Sequence, residues 1–167
     1  ETCEIRVDVE QMKNLSVFND LGILDTTVPF SPFGSNPEVG SYFLIGNEEV
    51  LQKNITDLSI DIKWHNLPKK VGGFKGYYKA YNNDINNESF KVGISCLTDF
   101  QFRPSELDSV QNFDLFKSLG DEDRLDNQSS LDNVNIDKLK MKPIYDDIDI
   151  ENFDNRSKTR FFKIELL

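Results

Sequence analysis

The chain of 167 residues carries nineteen Lys/Arg against twenty-nine Asp/Glu, a formal charge of −10, with 38% hydrophobic residues that include thirteen Phe, five Tyr and one Trp. That suits one domain of ordinary size, burying ~70% of its unfolded surface, and no apolar run approaches the ~20 residues of a membrane-spanning helix. Fifteen of the acids fall in residues 99–154 against six bases, and the other 111 residues hold fourteen acids against thirteen bases; neither part shows the basic stripe that nucleic acid or an anionic membrane surface requires, which disfavours both.

The chain opens on Glu1 rather than Met, with a strand pattern at once and no signal-peptide pattern. It reads as a piece of a longer protein. In "CEIRVDVE" the apolar set is Cys3, Ile5, Val7 and Val9, alternating with polar residues as in a strand with one wet face. Then "VPFSPFGSNPEVGSYFLIG", Val28 to Gly46, puts three Pro and three Phe into nineteen residues. Proline bars this stretch from a helix interior or a central strand until "SYFLIG", a continuous apolar run suited to a strand covered on both faces. Alternation resumes in "DLSIDIKWH" with Leu58, Ile60, Ile62 and Trp64, and "GYYKAY" (76–81) adds β-prone aromatics read as a strand.

"SFKVGISC" alternates through Phe90, Val92, Ile94 and Cys96, and "FQF" (100–102) continues the β pattern. Over 105–120 a helical period starting at Ser105 competes with a strand reading of "FDLF", and the strand is favoured. Residues 118–157 turn acidic, rich in Asn, Asp and Ser and poor in aromatics, the composition of a long, loop-rich surface insertion of low local stability. "RFFKIEL" closes the chain with Phe162, Ile164 and Leu166 on one face. Short strands separated by turn residues, with few helical signals, predict an all-β antiparallel β-sandwich of jelly-roll or immunoglobulin-like type, a single domain over 1–167 with the 118–157 excursion.

Catalytic constellations do not emerge. His65 is the only histidine and falls on the wet face of its strand, so neither a nucleophilic triad nor a zinc site has its partners. Asp146, Asp147, Asp149, Glu151 and Asp154 lack the glycine turn and ligand spacing of a calcium loop. Cys3 and Cys96 sit at inward strand positions and are expected buried and reduced. The sequons at Asn14, Asn54, Asn87, Asn127 and Asn155 follow from an Asn-rich composition. No cofactor, metal or small-molecule substrate is expected, and no enzyme activity.

Two functional readings stand. Trp64, Tyr77, Tyr78 and Tyr81 can stack on sugar rings, which keeps an extracellular carbohydrate-binding module as the alternative; Trp64 shares its face with Leu58, Ile60 and Ile62 and reads as core. The other reading centres on Pro29, Phe30, Pro32 and Phe33, where proline stiffens a connection carrying two rings. Such a loop either seals one end of the sandwich or presents anchors to a neighbouring protein with little entropy left to lose.

The segment from "ETCEIRVDVE" through "NDLGILD", "PFSPFG", "VGSYFLIG" and the alternating strand ending at Trp64 resembles part of the baseplate J-like wedge proteins of contractile injection systems, the phage-tail-like particles of antifeeding-prophage type and related secretion assemblies. The likeness runs over residues 1–103 and leaves the acidic excursion as a feature of this chain. The resemblance implies a structural module without catalytic residues, assembled in the cytoplasm as part of a particle, whose partners are other baseplate, hub or sheath proteins.

Overall fold

The computed structural model describes residues 6–8 (backbone only), 15–47, 55–81, 85–105, 109–141 and 161–167. Strands dominate, and the few helices are single turns. The larger sheet runs β3 (Gly22–Leu24), β2 (Ser16–Asn19), β4 (Tyr42–Gly46), β12 (Phe161–Leu166), β6 (Lys91–Thr98), β7 (Gln101–Arg103), and β8 (Asn112–Asp114) also pairs with β6. All its pairings are antiparallel. One edge of β6 is taken by β12, and the other is shared end to end by β8 on Lys91–Gly93 and β7 on Cys96–Thr98.

The smaller sheet is β1 (Arg6–Asp8), β5 (Ser59–Lys63) and β11 (Gln128–Leu131). Here β11 is antiparallel to β5, but β1 is parallel to it, Arg6 opposite Ser59 and Asp8 opposite Asp61. The parallel pair is the exception to the antiparallel expectation. Its cause is the chain path: after β1 the backbone builds β2, β3 and β4 in the other sheet and returns as β5, the long crossover a parallel pair needs. A two-stranded hairpin of β9 (Ser118–Leu119) and β10 (Arg124–Leu125) stands beside these sheets.

One buried cluster joins Val17, Ile45, Val92, Ile94, Cys96 and Ile164 of the larger sheet to Leu58, Ile60 and Leu131 around the smaller one. This is the sandwich-like, all-β arrangement the alternation predicts. The continuous run in β4 is buried from Phe43 to Gly46, as expected for a strand covered on both faces. At Gly46 a Cβ would stand 2.4 Å from the Phe161 ring, so only glycine lets that ring lie across the strand.

Three further expectations change. The wet face assigned to "SFKVGISC" is absent: β6 is buried at every position from Val92 to Leu97. It lies inside the sheet, and Val110 and Leu167 close over Gly93, where a Cβ would come within 2.3 Å of Val110 Cγ1. The strand expected at 76–81 is replaced by helix α1 (Gly73–Tyr77) and the turn that follows it. Aromatic residues at 74, 77, 78 and 81 follow helical spacing, and Phe74 stacks on Tyr78 at 6.1 Å. Residues 118–141 are more ordered than a loop-rich excursion: they form β9, β10, β11 and the one-turn helix α2 (Ile136–Leu139), and bury Leu131, Val134 and Leu139. The rest of that tract lies outside the described residues, as does Cys3. Cys96 is buried, as expected. In 105–120, β8 and β9 take the strand form favoured from the sequence.

Candidate docking face

The turn between β2 and β3 needs only Asp20 and Leu21, because Asn19 and Gly22 face each other in register and Gly22 adopts φ 121°. Alternation along β3 then puts Leu24 against the core and Ile23 outward. Ile23 is 70% exposed and Leu21, at the tip, 76%. β3 is the outermost strand of its sheet on this side.

Asn19 ties the proline loop to this hairpin. Its Nδ2 donates to the carbonyls of Ser31 at 3.4 Å and Pro32 at 3.3 Å, and its Oδ1 accepts the Leu21 N–H at 2.9 Å. Pro32 and Phe33 form the bend closed by the Gly34 N–H to the Ser31 carbonyl, 3.2 Å. Gly34 lies against the hairpin tip, its Cβ position 3.9 Å from Leu21 Cδ1 and 3.7 Å from Asp20 Oδ1. Further back, Asp25 accepts hydrogen bonds from the Thr27 hydroxyl (2.6 Å) and N–H (2.9 Å), which lower its pKa.

Phe30 and Phe33 are half-buried and pack on the core; the Phe33 ring meets Phe43 edge to face at 5.2 Å. Pro29 is exposed and Pro32 half-buried. The four expected contact residues are therefore brought together, their rings braced from behind. The expected set omits Leu21 and Ile23, which carry more of the exposed apolar surface. The signal is in "NDLGIL": in a hairpin whose Leu24 points inward, the residues flanking Gly22 must point elsewhere.

The sugar-platform residues are placed differently. Trp64 is half-buried against Phe116, and its indole N–H donates to Ser129 Oγ at 2.8 Å. Tyr77 and Tyr81 each meet Tyr78 edge-on, at 90° and 71°, rather than sharing one flat surface. His65 is exposed. A depression of about 390 Å³ lies between Val39, Val110, Asn112 and Leu166; its one ionisable wall residue, Glu165, pairs with Lys163 at 2.5 Å. Among the described residues no group of three His, Cys, Asp or Glu is placed to hold a metal, and no helix is long and apolar enough to cross a membrane.

A family model described as baseplate protein PVC11-like matches residues 1–135. The chain belongs to that family. No curated protein matches it. The match of this baseplate protein reaches past residue 103, where the likeness read from sequence stops, and takes in β8 to β11. The match thus covers residues 118–135, the start of the acidic tract.

Proposed function

We propose that the protein is a non-enzymatic structural module of a contractile injection system baseplate, which holds neighbouring particle proteins in register through the β2–β3 hairpin and the proline loop. The observation that carries the proposal is the exposure of Leu21 and Ile23 on the edge hairpin, to which Asn19 ties the loop of Pro29, Phe30, Pro32 and Phe33 and whose tip lies against Gly34. Large apolar side chains grouped on a sheet edge are costly to leave in water and invite a partner. Burial would contribute about 1–2 kcal/mol for each of Leu21 and Ile23, and the Asn19 clamp reduces the ordering cost of the loop. The partner is another baseplate, hub or sheath protein, met during assembly in the cytoplasm.

The test replaces Leu21 and Ile23 with Ser together. The isolated protein keeps its melting temperature, because neither side chain supports the core, while incorporation into particles falls. Normal incorporation would remove this face from the assembly.

A further inference from the structure

The charge count hides a local reversal. Residues 63–81 hold five Lys and no Asp or Glu, so the rest of the chain carries fourteen Lys/Arg against twenty-nine Asp/Glu. The near-neutral average of residues outside 99–154 conceals this run. Lys69, Lys70, Lys75 and Lys79 are all exposed, and none forms an ion pair among the described residues. Beside them Tyr77 is 51% and Tyr81 77% exposed.

The segment is rigidly seated. Phe74 enters an aromatic cluster, 4.8 Å from Phe90 and 4.8 Å from Phe116. Buried Asn87 accepts the Phe74 N–H at 2.9 Å and donates to Ser118 Oγ at 2.8 Å and the Asp123 carbonyl at 2.9 Å. Gly73 leaves no room for a side chain, its Cβ position 2.2 Å from Asn87 Oδ1. The Gly72 N–H donates to the Glu122 carbonyl at 2.8 Å. A fixed turn therefore presents unpaired cations and amphipathic rings, the residue types that carry electrostatic specificity and contact area in interfaces.

We propose that this turn is a second docking surface, which takes an acidic protein surface. The inference rests on the assembly reading above but uses a different part of the molecule: α1 packs on Phe90 and Phe116, whereas the hairpin of the first surface carries the edge strand β3. Charge complementarity selects the partner. Asp121, Glu122 and Asp123 flank the turn, and the molecule beyond it is strongly acidic. A nucleic acid or anionic bilayer extends its charge well past the turn and meets that repulsion. A compact carboxylate patch engages the lysines within the Debye length of about 8 Å at physiological ionic strength, and the Tyr77 and Tyr81 hydroxyls can donate to its carboxylates.

The test measures binding of the full chain to a fluorescein-labelled Glu/Tyr copolymer peptide, to single-stranded DNA and to phosphatidylserine vesicles. The peptide binds best, weakens as salt rises, and loses affinity about tenfold or more when Lys69, Lys70, Lys75 and Lys79 are changed to Glu. Tyr77→Ser with Tyr81→Ser gives a smaller loss, and melting temperatures confirm that both variants are folded. Tighter binding to DNA or vesicles, absence of peptide binding, or unchanged affinity in the Lys→Glu variant overturns the proposal. Particle assembly separates the two faces: if the Lys→Glu variant is incorporated normally while the Leu21→Ser/Ile23→Ser variant is excluded, the second surface falls and the first stands.

Discussion

Asn87 illustrates how much a single amide can organise. Both ends of its side chain are used inside the fold, on Phe74, Ser118 and Asp123, which also assigns a structural role to an asparagine in a sequon. Asn87→Ala strands the Phe74 N–H, and a lost buried partner costs about 1–3 kcal/mol; thermal denaturation should show a clear fall in melting temperature. Gly46→Ala drives a methyl into the Phe161 ring, and overpacking of this kind costs about 1–3 kcal/mol, readable in the same assay. Asp25 offers a charge test. The Thr27 hydroxyl and N–H favour its carboxylate and hold its pKa below the usual aspartate value. A depressed carboxylate pKa adds stability above the unfolded value and loses it as pH falls through the folded one. Carboxyl NMR titration should place Asp25 below the usual aspartate value, and Thr27→Val should raise it.

Among elements, β6 and β12 form the centre of the larger sheet, with antiparallel pairing from Phe162–Cys96 to Leu166–Val92. Their amides should exchange with solvent more slowly than those of the β3 edge or the β9–β10 hairpin; hydrogen exchange read by mass spectrometry would detect the reverse order. The strands β4, β5 and β12 were legible in the sequence because alternation or continuous apolarity maps directly onto burial. The helix α1 was not, although Phe74, Tyr77, Tyr78 and Tyr81 already carry helical spacing: aromatic β-propensity pulled the same residues toward a strand, and the contacts of Phe74 and Asn87 with distant segments settled the local choice. For the same reason Leu131, Val134 and Leu139 were hard to place. They are sparse apolar residues in an acidic tract, and their burial depends on β11 pairing with β5. Of the candidate face, proline and phenylalanine marked the loop, but its attachment to the β2–β3 hairpin depends on the Asn19 amide, a contact that no spacing rule encodes.

For the whole molecule, the central claim is that a β-rich baseplate protein uses the edge of its larger sheet to hold a neighbour. Stability and docking are separable at this edge. Phe33 braces the loop against Phe43, so Phe33→Ala should destabilise the isolated protein by about 2 kcal/mol, less than a fully buried ring would. Leu21 and Ile23 face solvent, and their joint replacement by Ser should change stability by no more than ~0.5 kcal/mol. The most direct measurement is therefore the occupancy of the Leu21→Ser/Ile23→Ser variant in purified particles, set beside its melting temperature. The account predicts a wild-type melting temperature and a marked loss of occupancy. Full occupancy of the folded variant would contradict it.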